Sequence, residues 1–299
     1  MTEPTFTTRV SRWYTQHARD LPWRRPEVGA WAILVSEVML QQTPVARVLP
    51  AWTDWMARWP APADLAAEPP AEAIRMWGRL GYPRRAVRLR EAAVAIVERH
   101  DGQVPNRLEQ LLALPGVGTY TARAVAAFAY GQRHPVVDTN VRRVICRAVA
   151  GEPDAGPATR PADLVAAEEL LPVEPAAAAL ASAAFMELGA VVCTARSPRC
   201  GSCPVASICA WRASGEPAPT GPTRRPQRYA GTDRQVRGLL LGVLREATAP
   251  VPRQRLDQVW ADEAQRFRAL ASLVNDGLVE QVNEACFRLA GDGPPVLVH

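Results

Sequence analysis

The feature that most constrains the fold is the turn Leu114-Pro115-Gly116-Val117-Gly118-Thr119, which separates two helical patterns. Apolar residues at helical spacing lead into it over 108–114, and a second helical pattern follows over 122–130. Glycine adopts positive φ easily and, lacking a Cβ, lets another backbone or a ligand approach closely. The turn therefore predicts a tight helix-hairpin-helix. The amides of Gly116 and Gly118 would lie at the open N-terminus of the second helix, where an anion binds readily.

Helical patterns also account for the rest of the chain up to about residue 210. No segment before that point shows sustained period-two alternation, so we expect an all-α first domain over 1–212. Thr43 and Pro44 predict an N-cap and a first-turn proline, and Gly131 and Gly151 predict helix ends. The predicted helices cover 31–41, 44–59, 83–99, 108–114, 122–130, 139–150, 161–170 and 175–192.

The C-terminal part has a different organisation. Residues 213–229 are rich in proline, glycine and arginine and predict a linker, which we extend to 213–232. Three helices near 235–247, 254–260 and 264–275 follow, and then two strands over 278–282 and 286–289. This order predicts a small α+β, winged-helix-like domain over 233–292.

Charge limits the chemistry that the chain can perform. A net charge of +5 and a pI of about 9.1 suit a polyanionic partner. All 35 basic residues are arginine, because the sequence contains no lysine. Since a Schiff base needs a primary amine, only the α-amino group of Met1 could form one.

Four of the six cysteines predict a metal site. Their spacing is Cys193-x6-Cys200-x2-Cys203-x5-Cys209. Cysteines clustered in this way, in a chain without an export signal, indicate metal ligation rather than disulfides. Four thiolates suit either zinc or a [4Fe–4S] cluster, and general coordination chemistry favours zinc slightly.

Six stretches of the chain, together with the cysteine spacing, resemble a known family. The stretches are Leu21–Arg24, Ser36–Thr43, Gly78–Tyr82, Leu114–Ala122, Val137–Val141 and Met186–Cys193. They resemble the endonuclease III superfamily of DNA glycosylases and, within it, the MutY adenine DNA glycosylase family. The resemblance implies a helix-hairpin-helix glycosylase fold and a [4Fe–4S] cluster on the loop 193–209, in place of zinc. It also implies that the DNA phosphate is bound by Gly116, Gly118 and Thr119.

Two carboxylates carry the chemistry that the resemblance implies. Glu37 is a lone acid in an apolar helix, and burial would raise its pKa and keep it protonated, although an exposed position or an ion pair is the ordinary alternative. In the family this glutamate protonates adenine at N7. Asp138 precedes a helix, so it is also a natural N-cap that the helix N-terminus would keep ionised. The resemblance gives Asp138 the role of stabilising, or attacking, an oxocarbenium-like sugar.

Two further residues complete the predicted catalytic set. Tyr120 occupies the position at which bifunctional members of the superfamily have the Schiff-base lysine, so lysine-dependent strand cleavage is not expected. As an alternative, Tyr120 simply packs on the hairpin. Asn140 matches a residue that supports the catalytic water and the aspartate. Thr139 departs from the family's usual glycine.

The remaining predicted residues bind the substrate. Gln41 and Gln42, at a helix end, and Tyr82, after Gly81, are candidates to insert into the DNA stack while the target base is extruded. The adenine pocket is expected to include Trp23, Arg24, Leu40 and Glu187. Ordinary core packing for Trp23 and a surface charge for Glu187 are the structural alternatives.

The sequence therefore predicts a monofunctional adenine DNA glycosylase that removes adenine opposite 8-oxoguanine or guanine in base excision repair. We expect a cytoplasmic, nucleoid-associated monomer acting on double-stranded DNA, with no membrane partner. One alternative is a related glycosylase for thymine or uracil opposite guanine. Another is a non-catalytic iron–sulfur or zinc DNA-binding protein. Family members often read 8-oxoguanine with a larger, strand-rich domain, for which 233–292 is too short and too helical.

Overall fold

The computed structural model describes residues 5–156, 159–218 and 229–293. These residues form two compact units, each assembled from separate stretches of the chain. The first unit contains the described residues among 1–34, 106–113 and 117–223, and the second those among 35–105, 114–116 and 224–299. Most of the predicted linker, 219–228, lies outside the described residues.

Helices occupy most of the described chain before residue 214. They are α1 (Phe6–His17), α2 (Ala30–Leu40), α3 (Val45–Arg58), α4 (Pro62–Ala66), α5 (Pro70–Trp77), α6 (Arg84–Arg99), α7 (Leu108–Leu112), α8 (Thr119–Tyr130), α9 (Thr139–Ile145), α10 (Pro161–Leu170), α11 (Pro175–Val191) and α12 (Ala210–Ala213). The described residues before 214 contain no strand, as predicted. A single π-helical turn, Cys146–Ala150, follows α9.

Helix ends differ from the prediction in small ways that have physical causes. Pro44 is the N-cap of α3 rather than a first-turn residue, and Thr43 makes no cap bond. The Thr43 hydroxyl instead accepts a hydrogen bond from Arg85 at 3.0 Å. Gly131 and Gly151 end their helices in the left-handed conformation, with φ of +62° and +76°.

The core of the first unit lies between α1, α9 and α11. Val10 of α1, Val141 and Val144 of α9, and Phe185 and Leu188 of α11 are all buried in one cluster. Each of these helices contributes apolar residues three or four positions apart, which is the spacing of a buried helical face. This core supports the segment that leads into the cysteine loop.

The second unit combines α3–α6 with the C-terminal segment. That segment contains α13 (Asp233–Glu246), α14 (Arg253–Asp257), α15 (Glu263–Asn275) and the strands β1 (Val251–Pro252), β2 (Val279–Asn283) and β3 (Cys286–Leu289). Ala71 and Ile74 of α5 are buried in one cluster with Leu240 and Leu244 of α13. The C-terminal segment therefore shares a core with α5.

The three strands form an antiparallel sheet in the order β1-β3-β2. The predicted three helices and hairpin are present, giving the expected winged-helix-like arrangement. The strand β1 was missing from the prediction, because two residues cannot show an alternating pattern. Pro252 has no amide hydrogen to donate, which suits the edge position of β1.

Candidate active site

The predicted hairpin is present between α7 and α8. Gly116 has a φ of +75°, and a Cβ there would lie 2.7 Å from the Arg88 Cβ. Glycine is therefore favoured both by the backbone conformation and by the lack of space for a side chain. Gly118 is the N-cap of α8, and a Cβ there would meet nothing within 4 Å. Gly116, Gly118 and Thr119 are exposed, which leaves the backbone of the turn accessible to a ligand. The second helix begins at Thr119, three residues earlier than predicted.

Asp138 is the N-cap of α9, as the sequence predicts. Its Oδ1 accepts hydrogen bonds from the backbone amides of Asn140 (2.9 Å) and Val141 (2.7 Å). Its Oδ2 accepts a third from the Asn140 side chain at 2.8 Å. Burial raises the pKa of Asp138 above its usual value, while the bonds from Val141 and Asn140 act in the opposite direction. Loss of hydration therefore outweighs the hydrogen bonds at the helix N-terminus, which favour the ionised form.

A chain of hydrogen bonds continues from Asp138 to the cysteine loop. The side-chain oxygen Oδ1 of Asn140 accepts a hydrogen bond from Arg143 Nη2 at 2.8 Å. The same guanidinium donates to the carbonyl oxygen of Gly189 (2.7 Å) and, through Nε, to that of Cys193 (2.7 Å). Position 189 requires glycine, because a Cβ there would lie 2.7 Å from the backbone carbonyl oxygen of Asn140.

Glu37 is buried within α2 in the second unit. Its exposed fraction is 5 %, and the neighbouring residues Ser36 and Met39 are fully buried. This burial excludes the exposed position that the sequence left open. Leu40 ends the helix and is partly exposed. Within the first unit, Tyr120 packs beside the buried residues Ala124, Ala127 and Val136.

A second buried carboxylate, Glu187, belongs to the first unit. Arg19 donates to it from Nε at 2.6 Å and from Nη2 at 2.8 Å, and Arg24 donates from Nη2 at 2.8 Å. Burial by itself would raise the pKa of Glu187, but the bonds from both arginines outweigh it and lower the pKa to about 2. Glu187 is therefore a buried ion rather than a surface charge. Trp23 is also buried, with 6 % exposure.

Arg24 retains a donor that the protein does not satisfy. Its Nη1 is buried and has no hydrogen-bond partner, although Nη2 is paired with Glu187. The guanidinium also lies 5.6 Å from the ring centre of Tyr14. Since a buried donor without a partner is costly, this nitrogen is a candidate contact for a bound ligand.

The residues predicted to insert into DNA share an unusual backbone conformation. Gln42 and Tyr82 have φ values of +54° and +48°. Only four non-glycine residues among those described have positive φ, and these two are half of them. Such conformations are costly and cluster at functional sites. Tyr82 is 48 % exposed, and Gln42 is also exposed.

Arg85 connects the two segments that carry these residues. Its Nη1 donates to the carbonyl oxygens of Val38 (2.8 Å), Met39 (3.0 Å) and Gln41 (2.7 Å) at the end of α2. Its Nη2 donates to the Gly81 carbonyl oxygen at 3.0 Å. One guanidinium thus satisfies the free carbonyls of a helix end and holds the Gly81-Tyr82 turn beside it. Burial lowers the pKa of Arg85 to about 10, at which it stays charged at neutral pH.

The four predicted cysteine ligands line one pocket. Its walls also include the buried side chain of Arg147 and the indole of Trp211, which lie 4.9 Å apart. Arg147 Nη1 lies 3.7 Å from the Cys193 sulfur and donates to the Thr194 carbonyl oxygen at 2.8 Å. Burial raises the pKa of Cys203 to about 11, and the three neighbouring thiols add to this effect. A cationic cluster would favour the thiolates, and the donor set of four sulfurs suits it.

Sequence reasoning missed the arginines that organise these sites. Arg19, Arg85, Arg143 and Arg147 each contact a predicted site residue or its backbone. Nothing in the sequence distinguishes them from the other arginines. The predicted residues themselves divide between the units, with Glu37, Gln42 and Tyr82 in the second unit. The first unit contains the others named above, which are Trp23, Arg24, Tyr120, Asp138, Asn140, Glu187 and the four cysteines.

The fold and site match two family models. Residues 35–166 match the HhH-GPD superfamily base excision DNA repair protein model. Residues 193–209 match the iron–sulfur binding domain of endonuclease III. A solved structure of a thermostable thymine-DNA glycosylase superposes with a TM-score of 0.62 at 27 % identity, covering 70 % of this chain and 95 % of that one. These findings define a helix-hairpin-helix DNA glycosylase with a [4Fe–4S] cluster.

Curated relatives narrow the class further. An adenine DNA glycosylase of Mycolicibacterium smegmatis is 62 % identical over 94 % of each chain. One of Mycobacterium tuberculosis is 56 % identical over 96 % of this chain and 94 % of its own length. The human adenine DNA glycosylase is 45 % identical over 66 % of this chain and 37 % of its own. The chain belongs to the adenine DNA glycosylase family, and so it is a base excision repair enzyme that binds DNA and cleaves N-glycosyl bonds.

No helix among the described residues is both long and apolar enough to cross a membrane.

Proposed function

We propose that the enzyme hydrolyses the N-glycosidic bond of adenine mispaired with 8-oxoguanine or guanine in duplex DNA. The observation that carries this proposal is the burial of the Glu37 carboxyl group in α2. Adenine is a poor leaving group as an anion, and a buried carboxylic acid can donate a proton to its N7 as the bond to the sugar breaks. Glu37 acts as this acid.

Asp138 is the proposed partner carboxylate. As the C1′–N9 bond breaks, positive charge develops on the sugar, and an ionised carboxylate stabilises it or attacks it. The two amide bonds to Oδ1 and the Asn140 bond to Oδ2 favour the ionised form and hold its orientation. Water then adds at C1′, so the products are free adenine and an abasic sugar in an uncut strand.

Base extrusion is the proposed task of the strained residues. Removing a base from the stack costs a few kcal/mol, and side chains that fill the gap offset part of that cost. We assign this task to Gln42 and Tyr82, and their exposure and positive φ support the assignment. The accessible hairpin at Gly116, Gly118 and Thr119 would bind a phosphate of the same DNA.

The pocket for the extruded adenine is proposed to include Trp23, Arg24, Leu40 and Glu187. Its support is the buried Nη1 of Arg24, which has no protein partner. Glu187, which also accepts from Arg19, holds this guanidinium in place, so the unsatisfied donor is already oriented. A ring nitrogen of the base is a suitable acceptor.

Strand cleavage through an imine is not part of the proposal. Tyr120 stands where bifunctional members of the superfamily have a lysine, and the chain has no lysine that could take its place. A second candidate activity, excision of thymine or uracil opposite guanine, gains support from the similarity to a thymine-DNA glycosylase. A pyrimidine has no N7 for Glu37 to protonate, which favours adenine.

The test uses three duplexes, with adenine opposite 8-oxoguanine, adenine opposite cytosine and thymine opposite guanine. Alkali converts abasic sites into strand breaks. We expect breaks in the first duplex alone and no breaks without alkali. In Glu37→Gln we expect the single-turnover rate to fall by about a hundredfold to ten-thousandfold, the typical contribution of a general acid. Breaks only at thymine would establish the second activity. Tight binding without breaks in any duplex would point to a non-catalytic DNA-binding protein.

The [4Fe–4S] cluster fits the four-cysteine pocket. Cys193, Cys200, Cys203 and Cys209 would hold it, and their ligation would fix the loop between them. Arg147 supports the loop from inside through its bonds to the Thr194 (2.8 Å) and Ala195 (3.1 Å) carbonyl oxygens.

A further inference from the structure

The C-terminal segment contributes a cation beside the exposed ring of Tyr82. Arg234, in the first turn of α13, places its guanidinium carbon 5.9 Å from the centre of the Tyr82 ring. Arg85 approaches the same ring from within the protein, at 5.6 Å. Arg234 is exposed, and Arg85 donates to backbone carbonyl oxygens. The proposed insertion residue therefore has an exposed arginine next to it that comes from a different part of the chain.

The position of Arg234 is set by extensive packing of the C-terminal segment on α5 and α6. Arg75 of α5 donates to the Ala247 carbonyl oxygen at 3.2 Å and pairs with Asp292. Arg245 Nε donates back to the Ile74 carbonyl oxygen at 3.1 Å. Arg84, two residues after Tyr82, forms a salt bridge with Asp276 at 3.3 Å. These bonds and the shared apolar core hold α13 against the Tyr82 turn.

The elements beside Tyr82 carry several arginines. Asp276 pairs with Arg84 and, at 2.6 Å, with Arg237. Asp233 pairs with Arg268 at 3.6 Å. A guanidinium beside an exposed aromatic ring suits a strand of nucleic acid, whose phosphates bind the guanidinium while a base stacks on the ring.

We propose that Arg234 binds a phosphate of the DNA strand into which Tyr82 inserts, so that the winged-helix-like segment is part of the DNA-binding surface. This inference rests on the proposed function of Tyr82. A phosphate contact does not distinguish one DNA sequence from another. It adds affinity and fixes the position of the protein along the duplex. It also gives the short C-terminal segment a role that does not require it to read the opposite base.

The experiment measures the dissociation constant of the cluster-loaded enzyme for a duplex with a tetrahydrofuran abasic analogue opposite 8-oxoguanine. Fluorescence anisotropy between 50 and 200 mM KCl gives the salt dependence. Loss of one phosphate contact in Arg234→Gln lowers the log–log slope by about 0.9, so the affinity difference from wild type shrinks about 3.5-fold over this range. Arg234→Lys, which keeps the charge, retains the wild-type slope.

Arg253→Gln is the matched control, because Arg253 lies in the same segment and also stacks on an aromatic ring, that of Phe267 at 5.7 Å. Its slope should equal that of wild type. An unchanged slope in Arg234→Gln, with or without weaker binding, would overturn the proposal, since a residue that only supports Tyr82 releases no counterion. An equal fall in Arg253→Gln would overturn it too. Adenine release by the wild type, measured separately, reports on the proposed function.

Discussion

At the scale of the residue, Asp138 occupies a capping position and a proposed catalytic position at once. Capping a helix requires an oriented acceptor, and stabilising a cationic sugar requires an oriented carboxylate, so one aspartate can do both. Burial of Asp138 opposes both roles in one respect. It raises the pKa of the carboxyl group, although the proposed catalytic role needs the ionised form. Asn140 partly offsets this rise in pKa, because its side-chain amide donates to Asp138 Oδ2. Arg143 donates to Oδ1 of the same Asn140 amide and so fixes its orientation.

Replacing Asn140 by leucine should therefore shift the pH dependence of adenine release. The variant loses one hydrogen bond to the ionised carboxylate, so the pKa of Asp138 rises further and less of it is ionised at a given pH. A hydrogen bond to a charged group contributes about 1.5 kcal/mol or more, which corresponds to roughly one pKa unit. The acid limb of the single-turnover rate should move to higher pH by about that amount.

Thr139→Ser provides the control for this shift, since the exposed Thr139 contributes no side-chain bond to Asp138 among those seen at the cap. Its acid limb should coincide with that of wild type. An acid limb in Asn140→Leu that stays in place, with only the plateau rate lowered, would contradict the assignment of the limb to Asp138.

At the scale of the element, one partly buried arginine, Arg85, organises two turns. The end of α2 and the Gly81-Tyr82 turn are far apart in sequence, and both expose backbone carbonyls that need donors. Arg85 supplies them from the first turn of α6. It also accounts for the failure of the Thr43 cap prediction, because the Thr43 hydroxyl is drawn to Arg85 instead of to the first turn of α3.

Arg85→Lys should impair base extrusion more than bond cleavage. A lysine keeps the charge, but its compact ammonium cannot reach both turns as the planar guanidinium does. We expect the single-turnover rate on adenine opposite 8-oxoguanine to fall about tenfold or more, the effect of about 1.4 kcal/mol. On an unpaired adenine, placed opposite an abasic analogue, the loss should be several-fold smaller.

Arg99→Lys, at the exposed end of the same helix, should leave both rates unchanged. If Arg85→Lys slowed the paired and unpaired substrates equally, its role would be general stability rather than the placement of Gln42 and Tyr82. Melting temperatures of both variants, read by circular dichroism, separate these cases.

At the scale of the whole molecule, the second unit has a core to which distant stretches of the chain contribute. Leu240 of α13 is fully buried in the cluster that includes Ala71 and Ile74, more than 160 residues earlier. The C-terminal segment is consequently part of the folding of this unit. Its neighbour Leu239 is 40 % exposed on the opposite side of the same helix.

Leu240→Ala should reduce stability by about 2–5 kcal/mol, the usual cost of a cavity at a buried leucine. Because the core is shared, amide hydrogen exchange should become faster in α5 as well as in α13. Leu239→Ala should change neither by more than about 0.5 kcal/mol. Faster exchange confined to α13 would contradict a shared core.

Much of the site could be predicted from local pattern. The hairpin glycines, the Asp138 cap, the cysteine spacing and the acid inside an apolar helix are each defined by a few neighbouring residues. Their local structure followed, since turns, caps and helix faces depend on nearby backbone. Helix ends were less accurate where a distant side chain intervened, as at Thr43.

The sequence by itself therefore determined the family and the helical fold, and it predicted the four cluster ligands and the two carboxylates. Only the tertiary structure decided which of the 35 arginines matter. Four arginines bind carboxylates, carbonyl oxygens or sulfurs that the sequence does not identify as their partners. They are Arg19, Arg85, Arg143 and Arg147. A long, flexible guanidinium leaves no periodic or local signal, because its partners are selected by packing between segments. The same holds for Arg234, whose position beside Tyr82 depends on how α13 packs on α5.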